Sequence, residues 1–508
     1  MPTDTFTPLK PPPGAWRNGT RFEAKGRWYD VNLVRWKEGQ LQPIGGWQRS
    51  SETPMSAPAR GGLAWRTDVN TRWLALGTAY GLFVDTIDGQ TEITPAGLVS
   101  GRVTSLFGLG FGAGPYGEEA YGTERSATGM VLEATTWSLD NFGSFLLALS
   151  TADGRISQWE PPPASGGLVS PATFVTNAPV DNVAVLVTAE RHVVALGAGG
   201  DPRRIEWTSR ETLTDWAPSS TNTAGGWDLA TAGKILRGVR FRGENLILTD
   251  VDVHTMSYVG APYVYGFQKV GNANGLMGPN AGVSLSDRFV WMGANGFWTY
   301  DGAIRELPSE VNGYVFSDIN VLQGAKVYAG HNNAFGEVWW FYPSRNSTEN
   351  DRYVIWNYRE NWWSYGQLAR TTWIDKEVWP YAMATKPDGH VYQHEQGYTD
   401  NGATRVGQVY AETGSVQLGN GERFVEVHGL IPDGCPNVPS CTQAYFKLRR
   451  TPMDPTVITK GPYTFGSFDG YTPARFAARQ VEMRIEATKD AMFKLGEMRA
   501  ATKPGSGR

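Results

Sequence analysis

Seven times along this 508-residue chain an apolar run enters a turn of Gly, Asp, Asn or Pro and leaves as a second run of aromatic or β-branched residues. The units are WLALGTAYGLFVD from Trp73, FLLALSTADGRISQW from Phe145, HVVALGAGGDPRRIEW from His192, NLILTDVDVHTMSYVG from Asn245, RFVWMGANGFWTYDG from Arg288, EVWWFYPS with DRYVIWNY from Glu337, and YAMATKPDGHVYQHE from Tyr381. Each reads as a β-hairpin. In the unit from Arg288, Ala294-Asn295-Gly296 predicts a tight turn of the type that needs positive φ, and Asp301-Gly302 a second turn. The units begin 72, 47, 53, 43, 49 and 44 residues apart. Five of these spacings fall between 43 and 53, close to the ~40 to 50 residues of one four-stranded propeller blade. The long first interval holds a glycine-rich insert, residues 106–122, that accounts for its excess.

This period predicts an all-β protein with a six- or seven-bladed β-propeller over residues 51–404. A small twisted sheet cannot bury both faces alone, whereas a ring of such sheets covers every face but the outer edges. An array of β-sandwiches is the runner-up. Helical architecture is disfavoured, because apolar positions alternate rather than recur every three or four residues.

Residues 1–50 read as an arm, since Pro11-Pro12-Pro13-Gly14 forbids regular structure and Asn18-Gly19 and Gly45-Gly46 mark turns. Its Trp16, Trp28, Trp36 and Trp47 must lie against the chain's own body or a neighbouring subunit. Residues 405–500 change character, with strand-like runs between Pro/Gly loops, and predict a smaller C-terminal β-sandwich. There RQVEMRIEAT alternates Val481, Met483 and Ile485 with Glu482, Arg484 and Glu486, which predicts one inward face and an outward charged ladder. Residues 501–508 read as a frayed tail. Cys435 and Cys441 are the only cysteines. Two thiols are too few for a disulfide scaffold, and a reduced pair is favoured over a loop-closing bridge.

Formal net charge is −4, with 46 Lys and Arg against 50 Asp and Glu, which argues against a protein that grips nucleic acid but not against one that lets it pass. The opening MPTDTFTPLKPPP lacks the basic start and apolar run of a secretory signal, and no apolar stretch reaches the ~20 residues of a membrane helix. The expectation is a soluble product made in the cytoplasm, without membrane insertion.

Candidate chemistry is sparse. Gly108, Gly110, Gly112 and Gly114 lack the flanking strand and helix of a phosphate cradle, so they read as an exposed loop. His390 and His394 on one strand lie ~13 Å apart and cannot share an ion. Asp250, Asp252 and His254 read as a strand-end feature rather than a metal site. A propeller glycosidase would need two or three carboxylates around a funnel, for which Asp250, Asp252, Glu337 and Asp351 are available without a spacing that singles them out. The run Ser150 to Gly154 resembles the Asp-box turn of sialidases, but with Asp153 and Gly154 adjacent it is better read as a type I′ hairpin turn. Trp339, Trp340, Trp356, Trp362 and Trp363 could stack on sugars or a partner, and read more simply as core. No catalytic, cofactor or metal residue is assigned.

The segments NLVRW (Asn32 to Trp36) with Gly39, PIGGW (Pro43 to Trp47), PRRIEW (Pro202 to Trp207) with Asp215-Trp216, VWMGANGFW (Val290 to Trp298) and EVWWFY (Glu337 to Tyr342) resemble the tail nozzle proteins of short-tailed bacteriophages, also called tail tubular protein B or packaged-DNA stabilisation protein. The resemblance spans residues 20 to 500. It implies a non-enzymatic virion protein: a propeller bearing a smaller β-domain, six copies forming a tube that continues the portal and its adaptor ring, retains packaged DNA and conducts its ejection. Tail fibres or tailspikes are further partners. A near-neutral wall suits such a conduit, since each strong Lys or Arg contact to phosphate would act as a brake. Acidic residues on inner strands or the glycine-rich loop are therefore expected toward the lumen, and the arm, Arg475, Arg479 and Arg484 at interfaces. The alternative is a propeller-type glycoside hydrolase or a glycan-binding module acting on host surface polysaccharide.

Overall fold

The apolar run from Trp73 forms the second strand of a four-stranded antiparallel sheet, and the same holds for each of the other six units. In the computed structural model, which describes residues 5–505 apart from 87–88, 108–130, 164–167, 273–274, 418–423, 435–439, 451–454 and 466–469, seven such sheets follow one another. Their first strands are Ala59–Arg66, Trp137–Phe142, Ala184–Val187, Ile235–Phe241, Gly282–Ser284, Tyr328–Asn332 and Thr372–Ile374. Strand order within the first six sheets is chain order, each strand pairing with the next. The first strands neighbour one another in succession. The Arg237 Nη1–H donates to Gly282 O at 3.0 Å between the fourth and fifth sheets, and the seventh sheet's first strand lies against the first sheet's.

Close approach between sheets depends on glycine facing tryptophan. Trp137 of the second sheet lies across Gly61 and Gly77 of the first, where a Cβ on Gly77 would sit 2.2 Å from the indole Cγ. Its Nε1–H donates to Thr78 O at 2.6 Å. Trp373 repeats the arrangement over Gly330, with its N–H on His331 O at 2.8 Å. The buried indoles thus gain apolar contact without leaving their one donor unpaired.

Hydroxyls at the ends of second strands close the following turns. Thr78 Oγ1 accepts from the N–H groups of Tyr80 and Gly81, and Thr249 Oγ1 from those of Val251 and Asp252. Two turns differ from the expected type I′. Between Met292 and Phe297 the loop has four residues closed by Gly293 N–H to Gly296 O at 2.8 Å, and neither Asn295 nor Gly296 has positive φ. Between Leu149 and Ile156 the loop is longer still. Ser150 O accepts from both Asp153 and Gly154, and only Gly154, at φ +73°, enters the left-handed region. The longer loops place their hydrogen bonds without demanding positive φ at two successive residues.

The first fifty residues do not form a separate arm. Trp47–Arg49 is the fourth strand of the seventh sheet, pairing with Val391–His394. Trp28–Asn32 joins one six-stranded sheet beside Tyr410–Thr413, while Thr5–Leu9, Val34–Lys37 and Gln40–Pro43 belong to a second six-stranded sheet. These two sheets carry the C-terminal strands and pack face to face, with the Phe446 and Phe476 rings 4.8 Å apart. Burial alternates residue by residue along Thr442–Arg449 and Thr472–Ala478, as one apolar face requires. Trp28, Trp36 and Trp47 are buried in the chain's own body.

Three further expectations are corrected. The charged ladder is partly covered: Glu482 is 2% exposed beneath Arg449 and the incoming Arg21, and Arg484 is ion-paired with Glu412 and Glu486. The last strand runs Leu495–Pro504, held on both edges by Thr5–Leu9 and Val425–Gly434, so the chain is paired well past residue 500. Cys441 is disulfide-bonded, and Cys435 lies outside the described residues.

Candidate functional site

The carboxylates available to a glycosidase are dispersed and committed. Asp252, 1% exposed, accepts from the Thr231 and Thr249 hydroxyls at 2.8 and 2.7 Å and pairs with Lys269 at 2.7 Å. Burial alone would raise its carboxyl, but Lys269 and the two hydroxyls outweigh it and lower the pKa. His254 lies 3.2 Å from Asp252, and Asp250 receives the Lys234 N–H at 2.8 Å. Asp351 accepts the Ser344 N–H and hydroxyl, both at 2.7 Å. Asp153 is bound by Arg155 and the Val99 N–H.

Glu337 is fully buried and held by Arg35, Nε to Oε1 at 2.9 Å and Nη2 to Oε2 at 3.0 Å. Burial pushes its carboxyl up to about 7 despite Arg35. Burial disfavours the Arg35 charge, yet Glu337 and Glu395 together outweigh it and raise the guanidinium pKa. The pair fastens the former arm to the sixth sheet.

His390 meets Ser51, whereas His394 is 1% exposed, stacked on Trp47 at 5.5 Å and accepting the Arg370 Nε–H at 2.7 Å. The two histidines serve different partners. Among the described residues no group of three His, Cys, Asp or Glu could hold a metal ion. Trp339, Trp340, Trp356, Trp362 and Trp363 are all at most 3% exposed, so they are core. Gly108, Gly110, Gly112 and Gly114 lie outside the described residues.

Where six of the sheets converge, a cavity of about 260 Å³ is lined by first-strand residues including Gly62, Ser138, Asp140, Arg237, Arg240 and Tyr328, with Asn280 from the loop before the fifth sheet. Asp140 accepts from the Val187 N–H at 2.8 Å and from Arg240 Nη2 at 2.9 Å, while burial raises its carboxyl pKa. Among the described residues Arg237 is held through Nη1, by Gly282 O and Pro279 O at 3.0 and 3.4 Å. Burial lowers its pKa, and no carboxylate of the described residues pairs with it. Charged residues on the first strands are thus chiefly Arg60, Arg66, Arg237 and Arg240, with Asp140 the acidic exception. Of the two places where acidic residues are expected toward a lumen, these strands carry mostly arginine and the glycine-rich loop lies largely outside the described residues. The signal was present in ILRGVRF, but the repeat was read from the second and third strands, and the charged first strand fell outside the aromatic pattern.

No family model and no curated protein matches the chain. Among solved structures it is similar to a crystal structure of exo-β-1,3-galactanase from Phanerochaete chrysosporium with galactose, at 10% identity and a TM-score of 0.30, over 90% of this chain and all of that one. A likeness of that size bears on neither substrate nor mechanism.

Proposed function

We propose that this protein is a wall subunit of a short-tailed phage tail, of the nozzle type. In this reading the seven sheets are blades of a β-propeller, the paired six-stranded sheets are the smaller β-sandwich, and six copies form a tube in the virion. The tube docks on the portal-adaptor ring and carries fibres or tailspikes, holding packaged DNA until ejection. The observation that carries it is the meeting of the segments on which the resemblance rests. Arg35 of NLVRW is ion-paired to Glu337 of EVWWFY, and Trp47 of PIGGW opens the strand that completes the seventh sheet. A resemblance of composition alone would give no reason for these segments to touch. The near-balanced charge suits a conduit that does not hold phosphates. The commitment of Asp252, Glu337 and Asp351 to structural pairs favours this reading over a glycosidase.

Negative-stain images of the purified protein, alone and mixed with a portal-adaptor complex, test it. Closed six-fold rings, or rings formed only on the adaptor, are expected. A monomer that ignores the adaptor and releases reducing sugar from host envelope polysaccharide, with activity lost in Asp252→Asn, overturns it.

A further inference from the structure

The cavity among the first strands has the composition of a binding site that neither the tail role nor the resemblance requires. Its walls bring two guanidinium groups and one carboxylate together. Arg240 and Asp140 neutralise each other at 2.9 Å, and Asp140 is further occupied by the N–H groups of Val187 and Asn141. Arg237 leaves the cluster one positive charge in excess: Asp140 acts on it electrostatically without pairing, and among the described residues its hydrogen bonds, from Nη1, go to neutral carbonyls. Those carbonyls fix the guanidinium in place without cancelling its charge. Among the described residues its Nε–H and Nη2 groups meet no acceptor and form a planar fork, the geometry that matches a carboxylate or phosphoryl group. Asn280 Nδ2 is turned away onto Arg60 O at 2.9 Å, so the charge on this wall comes from the arginines.

We propose that this cavity binds a small oxyanion, carboxylate or phosphate, with Arg237 as its principal ligand and Arg240 and the Tyr328 hydroxyl beside it. At about 260 Å³ the space is smaller than the ~300 to 1,000 Å³ of pockets for drug-sized ligands, which limits the occupant to a compact anion and excludes a polynucleotide. Binding at Arg237 would also brace the fourth sheet against the fifth, because the same guanidinium already joins Ile235–Phe241 to Gly282. The inference does not depend on oligomeric state or on the tail reading.

Isothermal titration of the full chain with inorganic phosphate and, separately, with acetate tests it, ionic strength being held constant with sodium chloride. Saturable binding of one anion per chain is expected, with a Kd on the order of 1 mM or tighter. Tighter phosphate binding identifies a phosphoryl ligand, and tighter acetate binding a carboxylate. Arg237→Gln should weaken binding roughly tenfold or more, the size of a lost charge-assisted hydrogen bond. Arg204→Gln, which alters an arginine paired with Asp228 on the third sheet, should leave it unchanged. Absence of saturable binding of either anion to the unaltered protein overturns the proposal, whatever the folding of the variants. Equal loss in the Arg204 and Arg237 variants also overturns it, by showing diffuse charge rather than a site.

Discussion

Replacing Arg35 by Met should destabilise the protein strongly, and more at pH 8 than at pH 5. Arg35 is 2% exposed and faces a carboxylate that is fully buried, with a second carboxylate, Glu395, 2.6 Å from Nη2 and the Phe335 ring 3.6 Å from the guanidinium carbon. Methionine keeps much of the packing but leaves Glu337, among the described residues, with the Trp339 Nε1–H at 3.0 Å. Stranding one partner of a buried pair costs roughly 3 to 5 kcal/mol. Glu337 can escape that cost by taking a proton. Its folded pKa, already about 7, rises further without Arg35, while the unfolded value stays near 4.5. A carboxyl raised on folding loses stability as pH climbs from its unfolded pKa through its folded one, at up to about 1.4 kcal/mol per pH unit. The variant should therefore approach the parent near pH 5 and fall away toward pH 8. Adding Glu337→Gln should remove that slope and recover about 2 kcal/mol at pH 8, within the range of coupling between contacting groups. Urea unfolding followed by tryptophan fluorescence at pH 5, 6.5 and 8 measures all three proteins. A cost independent of pH, additive with that of Glu337→Gln, would refute the claim that this pair clamps the N-terminal segment to the sixth sheet.

Acid should act through His394. Burial first, then Arg370, Lys386, Arg405 and Arg35, hold it well below its ordinary value of 6.5. A histidine depressed on folding contributes stability that is complete above about 6.5 and lost as pH falls. His394→Gln should flatten that loss by one proton's worth, about 1.4 kcal/mol per unit, in unfolding curves between pH 7 and 5. An unchanged slope would show that His394 titrates normally. Gly77→Ala should cost about 1 to 3 kcal/mol by forcing Trp137 off the first sheet, read as a lowered unfolding midpoint with the m-value retained. A neutral effect would mean that the sheets are not held at the spacing described.

The seven-fold hairpin repeat was legible because the second and third strands of each sheet are adjacent in sequence and carry the buried alternation. Wherever pairing is distant, local pattern had nothing to offer. Trp47 donates its indole N–H to Asp400, and its strand is a three-residue piece whose partner lies at the far end of the chain. Nothing near Trp47 could announce that it completes a sheet. Pro11 to Gly14 invited the reading of an arm, although Ala15 N–H already bonds Trp363 O at 2.7 Å. Short outer strands such as Thr173–Phe174 carry too few residues for a period. The candidate carboxylates were visible as residue types, but their roles depended on partners such as Lys269 and Arg35 from other strands. Arg237 was missed because a charge on a strand reads as solvent-facing unless the convergence of several first strands is known.

The pairing of Thr5 with Thr502, and of Leu9 with Met498, has a consequence for how the molecule comes into being and how it resists being pulled apart. Thr5–Leu9 cannot pair until Leu495–Pro504 has been made, so this clasp closes a loop of nearly the whole described chain and forms late. Because the two strands run antiparallel with Thr5 beside Thr502, a pull applied at those two residues would open the pair one residue at a time rather than shear it.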